Sequence, residues 1–111
     1  RALLDAGFKV KGISHITGGG LYENGPRMLP EGICAEIQKS AIPVPPIFTL
    51  IQEKGNIPER DMYNTFNMGV GLVMAVAKAD AGAVVETLIR CGERPHIIGR
   101  CVSGEKGVEL W

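Results

Sequence analysis

Apolar and polar positions along this chain follow two different periods. Val10, Ile13 and Ile16, with Lys and Ser among the residues between them, read as a β-branched strand over residues 9–16. Ile33, Ala35 and Ile37 recur at every second position, which predicts a strand Ile33–Ile37 with those three on one side. Residues 70–76 are apolar throughout and read as a buried strand. Residues 95–102, with Ile97, Ile98 and Val102, form a last clear strand, and residues 108–111 begin a further one. Elsewhere the period is helical. Ile47, Leu50 and Ile51 share one face of a helix over 47–54, with Pro46 in its first turn, Gly55 closing it, and the stripe read as core. Ala81, Val84, Val85, Leu88 and Ile89 do the same over 81–91, with Asp80 as the cap and Gly92 as the stop. Shorter helices are expected at 2–6, closed by Gly7, just after the glycines at 18–20, and at 58–62. The order predicts an α+β domain, helices on a mixed sheet of about four strands.

The junction after the first strand is the most informative stretch. His15-Ile16-Thr17-Gly18-Gly19-Gly20-Leu21-Tyr22-Glu23-Asn24 places three glycines where a strand meets a helix. Glycine inside a helix is weaker than Ala by about 1 kcal/mol, yet at a first turn it leaves backbone N–H groups uncovered. Thr17 is a suitable N-cap. A strand, a capped glycine turn and a helix N-terminus together make a backbone anion site, with His15 and Thr17 beside it. The same glycines equally suit a tight turn or close packing against a neighbour. Spacing leaves both readings standing. No Lys-Ser/Thr pair follows the glycines, which excludes a Walker A loop, and Glu23 stands where a dinucleotide fingerprint needs Gly or Ala. Arg27 can reach an anion through its guanidinium fork, or simply sit at a surface helix end. Asn64, Thr65 and Asn67 precede the apolar run, a pattern shared by site edges and turn-forming asparagines. Gly69 and Gly71 predict a bulge or the close approach of another backbone. His96 is placed at a strand start, with no chemical role.

Composition narrows the classes. Twelve basic and twelve acidic residues cancel, leaving no overall footprint for nucleic acid or an anionic membrane. Aromatic residues, at 5%, are too sparse for a base-stacking platform. Cys34, Cys91 and Cys101 form no C-x-x-C and have no histidine at ligand spacing, so free thiols in a reducing cytosol are expected and no metal site. The longest apolar run, 68–77, has about half the residues a membrane-spanning helix needs. At 111 residues the chain is one domain. It begins at Arg1, in what reads as the tail of a helix, and is expected to be a piece of a longer protein.

Several motifs together carry a resemblance. Residues 15–24, Pro26-Arg27-Met28-Leu29-Pro30-Glu31-Gly32, Pro43-Val44-Pro45-Pro46-Ile47-Phe48, Gly55-Asn56-Ile57 and Asn64-Thr65-Phe66-Asn67-Met68-Gly69-Val70-Gly71 stand in register with one family. The chain resembles, along essentially its whole length, the C-terminal domain of the phosphoribosylaminoimidazole synthetases. These are the phosphoribosylformylglycinamidine cyclo-ligases of de novo purine synthesis.

The resemblance implies an α/β/α layered fold, partly ferredoxin-like. It implies an enzyme that uses ATP and Mg2+ to convert formylglycinamidine ribonucleotide to aminoimidazole ribonucleotide, releasing ADP and phosphate. It further implies a cytoplasmic homodimer whose N-terminal domains, absent from this segment, form the dimer core and hold most of the ATP site. On that pattern Thr17, Gly18, Gly19 and Gly20 lie on an anion, while His15, Glu23, Asn24 and Arg27 orient substrate, His15 and Glu23 being the catalytic candidates. Asn64, Thr65 and Asn67 line the opposite wall. Formylglycinamidine synthetase, thiamine-monophosphate kinase and selenophosphate synthetase are related alternatives, and a non-catalytic small-molecule-binding module is a third reading. The unbroken His-Ile-Thr-Gly-Gly-Gly and Phe-Asn-Met-Gly motifs favour the cyclo-ligases. Gly25 departs from the family pattern, which has a branched apolar residue after Glu-Asn, and Ser40-Ala41-Ile42 lacks a tryptophan common there. This segment alone is expected not to turn over.

Overall fold

A computed structural model of the chain describes residues 2–111; Arg1 lies outside them. Helix α1 (Ala2–Asp5) ends at Gly7, whose φ of +87° lets the Gly7 and Phe8 N–H groups turn back to the Leu4 and Leu3 carbonyls. Strand β1 (Val10–His15) leads through the glycine turn into helix α2 (Gly20–Asn24), which tightens into a 3-10 turn at Gly25–Met28 around Pro26. Strand β2 (Ile33–Ile37), helix α3 (Pro46–Gly55) and helix α4 (Glu59–Thr65) follow. The chain finishes with strand β3 (Leu72–Val76), helix α5 (Ala81–Arg90) and strands β4 (Gly99–Ser103) and β5 (Gly107–Leu110).

The class is α+β, and among the described residues five strands divide between two sheets. β1 and β3 pair antiparallel, with Ile13 opposite Met74 and His15 opposite Leu72. β2 is the middle of a mixed sheet, antiparallel to β4 and parallel to β5. Gly99 sits against β2 so closely that a Cβ there would strike the Glu36 carbonyl.

One apolar cluster joins these parts. Ile16, Leu21, Leu29, Ala35, Ile37, Ile42, Met62, Tyr63 and Met68 are buried together, with the Phe48 and Phe66 rings 5.8 Å apart on its border. The radius of gyration is 14.5 Å, against about 13 Å for a compact 100-residue domain. The chain is spread thin around a small core.

That thinness explains where the structure departs from the pattern. The apolar stripe of α3 is only partly covered: Ile47 and Leu50 are 53% and 50% exposed, while Ile51, with Phe48, packs half-buried against the core. The strand expected at 70–76 shortens to Leu72–Val76 and is only half-buried, because β1 is its one neighbour in the sheet. α4 runs on to Thr65, so Asn64 and Thr65 belong to its last turn and not to a strand mouth. α3 is closed by Asn56, left-handed at φ 51°, and Gly55 lies inside the helix. Asp80 makes no side-chain cap, since the 3-10 turn Lys78–Asp80 feeds α5 directly. β4 begins only at Gly99, leaving His96 and Ile97 exposed in the segment before it.

Candidate functional site

β1 delivers the chain to the glycine turn at a fixed point, because the Ile16 N–H donates to the Gly71 carbonyl at 2.9 Å. The chain then reverses through two left-handed residues, Gly19 at φ +102° and Gly20 at +63°. The Gly20 N–H donates to the Thr17 carbonyl at 3.0 Å. α2 therefore starts at Gly20 with Gly19 in the cap position and no side-chain cap. Thr17 is not the N-cap that its position suggested. Its hydroxyl is too far back along the chain and donates instead to Asn24 Oδ1 at 3.2 Å.

Asn24 is the hub of the turn. Its Nδ2 donates to the Gly18 carbonyl at 3.2 Å and to the Gly20 carbonyl at 3.0 Å, and its own carbonyl accepts from the Ser14 hydroxyl. The side chain is 1% exposed. One amide thus ties strand end, turn and helix together, holding the turn from inside. Ser14 was not singled out in the sequence. The strand alternation that turns Ile13 and His15 outward is the signal that could have placed it inward.

The three glycines have different reasons to be glycine. A Cβ on Gly20 would strike the Tyr63 carbonyl and lie 2.6 Å from that of Phe66, so the C-terminal end of α4 seats directly on it. A Cβ on Gly19 would strike the Glu23 carboxylate, which folds back over the turn. A Cβ on Gly18 would meet nothing within 4 Å, and its φ is not left-handed. Packing explains Gly20 and dihedral angle explains Gly19, but neither accounts for Gly18.

The 64–71 motif packs against the glycine turn. Met68 and Gly69 are left-handed at +54° and +94°, and the Val70 N–H closes the turn on the Asn67 carbonyl at 3.0 Å. The Gly69 N–H also donates to Asn67 Oδ1 at 2.8 Å, while the Met68 side chain is buried in the core. Gly69 in turn meets Pro45, whose Cδ would lie 2.5 Å from a Cβ there. The proline connector, the 64–71 motif and the glycine turn are consecutive layers of one contact.

His15, Thr17, Gly18, Glu23, Asn64 and Thr65 are exposed around this junction. Arg27 is exposed on the 3-10 turn after α2, which packs through Met28 on Gly12 of β1. Gly20 and Asn24 are buried, and Gly19 and Asn67 are half-buried. The Glu23 side chain folds back so that its carboxylate lies beside Gly19 of the turn.

Two clefts lie away from the turn. One, of about 290 Å³, is lined by Tyr22, Arg60, Glu109 and Trp111, with the Arg60 guanidinium 4.1 Å over the Tyr22 ring. The other, of about 620 Å³, runs beside β2 and β4 past Glu36, Gln38, Ile97 and Arg100. Among the described residues, no three His, Cys, Asp or Glu side chains converge as a metal site. Cys34, Cys91 and Cys101 are free thiols; burial pushes that of Cys34 up, helped by Glu109 and Glu36.

The family described as AIR synthase related protein, C-terminal domain, matches residues 1–111. The chain belongs to that family. This AIR synthase related domain is 60% identical over 105 residues to the phosphoribosylformylglycinamidine cyclo-ligase of Lachnospira eligens, covering 95% of the chain and 31% of that protein. It is 49% identical over 110 residues to the cyclo-ligase of Agathobacter rectalis, covering 99% and 32%. With that of Acetivibrio thermocellus the identity is 52% over 103 residues, covering 93% and 30%. The domain thus spans about a third of the length of the relatives it matches. No helix among the described residues is long and apolar enough to cross a membrane.

Proposed function

We propose that this domain is the C-terminal part of a cytoplasmic phosphoribosylformylglycinamidine cyclo-ligase. The observation that carries the reading is the 60% identity to the Lachnospira eligens cyclo-ligase across 95% of the chain. The reaction transfers the γ-phosphoryl group of ATP to the formamide oxygen of formylglycinamidine ribonucleotide. The internal amine nitrogen then bonds to the activated carbon and gives up its proton to solvent or a nearby base, the C–O bond breaks, and phosphate leaves with the imidazole ring closed. Such a transfer asks the protein for positioning and charge stabilisation more than for covalent chemistry.

The exposed residues His15, Thr17, Gly18, Glu23, Asn64 and Thr65 are the substrate-facing set in this proposal, and Arg27 offers its guanidinium to a phosphate. Gly19, Gly20, Asn24 and Asn67 hold the backbone that presents them. Among the described residues no three metal-ligating side chains converge; in this proposal the Mg2+ ion and most of the ATP contacts belong to an N-terminal domain of the same chain, through which the enzyme dimerises.

The test is a replacement. Residues 1–111 are grafted into the Lachnospira eligens enzyme in place of its own matching segment, and ADP release is followed with formylglycinamidine ribonucleotide and ATP. Turnover within about tenfold of the parent, a loss of about 1.4 kcal/mol, is expected. A folded chimera that turns over no faster than the uncatalysed background overturns the proposal.

A further inference from the structure

Resting on the reading of this domain as part of a longer cyclo-ligase, we infer that β3 is an interior strand in the full-length protein. A strand from the polypeptide outside this domain pairs with its free edge and is apolar where it flanks Leu72 and Met74. Hydrogen-bond alternation locates that edge. In an antiparallel pair, opposed residues alternate between those that bond each other and those whose N–H and C=O groups point away. The Ile16 N–H donates to the Gly71 carbonyl, so Ser14–Val73 is the next bonding pair along the ladder. The His15–Leu72 and Ile13–Met74 pairs therefore turn their backbone groups outward. β1 is the one strand beside β3, and among the described residues neither Leu72 nor Met74 makes a backbone bond to a loop or helix.

Among the described residues the two sheets end in four edge strands, and three of these are guarded. β1 carries Lys11 and a bulge between Val10 and Gly12, β4 carries Arg100, and β5 carries Glu109. Charges and bulges on an edge resist pairing with another chain. β3 has no such guard: residues 68–77 contain no charged side chain and no proline. Leu72 is 54% exposed and shares its face with Ile13, 56% exposed. A bare apolar edge on a sheet of two strands is marginal in stability and prone to aggregation until another strand covers it.

The occupant is the same chain and not a second copy. The domain spans 31% of the Lachnospira eligens relative, which leaves about two-thirds of such a chain to supply the strand. A tethered segment meets the edge at an effective concentration of the order of millimolar for a short tether. A separate copy would have to match that in solution, and apart from its own β3 it offers only guarded edges.

The test uses the full-length chimera described above and residue-resolved hydrogen exchange. The Leu72 and Met74 amides are expected to exchange about a hundredfold or more slowly than the Ile13 amide, which also points outward but from a guarded edge. If they exchange no more slowly than Ile13, β3 is not singled out and the inference is wrong. A photoactivatable phenylalanine at position 72 then identifies the occupant, in a mixture of light and heavy isotope-labelled chimera whose subunits have exchanged. Cross-links from position 72 to a peptide outside residues 1–111, with both halves of one isotope, are expected. Mixed-isotope products would put a second copy on the edge and overturn the inference, as would cross-links confined to residues 1–111. Failure of the chimera to turn over would strike the cyclo-ligase reading alone, because exchange and cross-linking are read without turnover.

Discussion

The Thr17 hydroxyl donates to Asn24 Oδ1 at 3.2 Å, across seven residues of chain. That bond, with the two from Asn24 Nδ2 to the Gly18 and Gly20 carbonyls, is what fixes the turn. A buried hydrogen bond contributes about 1 kcal/mol, and an orphaned buried partner costs about 1–3 kcal/mol. Asn24→Ala is therefore expected to destabilise the domain by roughly 2–4 kcal/mol, read as a lower urea midpoint with unchanged slope. Thr17→Val, which removes one exposed-side donor, should cost less than about 1 kcal/mol.

The neighbouring glycines should separate cleanly by stability. Gly20→Ala forces a Cβ into the Tyr63 carbonyl at a left-handed φ, and a loss of about 2 kcal/mol or more is expected from strain and displacement of α4. Gly18→Ala meets open space and should change stability by less than about 0.5 kcal/mol. Equal thermal shifts for the two would contradict the packing described.

Gly25 is buried with its Cα facing β5, where a Cβ would lie 2.8 Å from Val108 Cγ2. The branched residue usual at this position in the resembling family therefore does not fit beside this Val108. Gly25→Ile is expected to cost about 1–3 kcal/mol through overpacking. Val108→Ala should be destabilising alone yet rescue part of the loss when combined, a coupling of about 0.5–3 kcal/mol in a double-mutant cycle. Simple additivity would show that the two side chains do not compete for the same space.

Much of the fold was legible because local chemistry decides it. β2 falls on Ile33–Ile37 as the alternation predicts, since a strand paired on both sides keeps its apolar residues inward. Gly7 and Gly92 stop their helices at φ +87° and +85°, where only a residue without a Cβ is unstrained. The apolar stripe of α3 was read as core, which holds for Ile51 and not for Ile47 and Leu50, because a period shows that a face is apolar and not what covers it. The glycine turn was legible as a turn but not in its wiring. Whether the Thr17 hydroxyl caps a helix or reaches Asn24 depends on two successive left-handed residues, and no spacing rule contains them.

Stability should fall on the alkaline side. Burial raises the Cys34 thiol above its ordinary 9.0 and the Tyr63 phenol above its ordinary 10.0, and the bond to Glu59 raises Lys39 above 10.5. Below pH 9 all three hold their protons in folded and unfolded chains alike, so this contribution is fully present. Above it the unfolded chain releases the Cys34 proton first while the folded chain keeps it, and stability declines until each folded value is passed. Under reducing conditions the urea midpoint should be flat from about pH 7 to 9 and drop beyond, with Cys34→Ala moving the onset upward. A drop that begins at the same pH in Cys34→Ala would remove that thiol as a cause.

The exposed apolar side chains predict how this segment behaves by itself. Leu4, Ile13, Leu72, Ile89, Ile97 and Trp111 are all more than half exposed, and Ile13 and Leu72 stand on pairs of the β1–β3 ladder with the Ser14–Val73 pair between them. Exposed apolar side chains on a sheet of two strands, whose edges are open, invite association between copies. The isolated segment is expected to sediment as a concentration-dependent mixture of species. Ile13→Lys with Leu72→Lys should shift it toward monomer, since charges on an open sheet resist pairing. A single monomeric species across a broad concentration range would show that this face is too small to drive association.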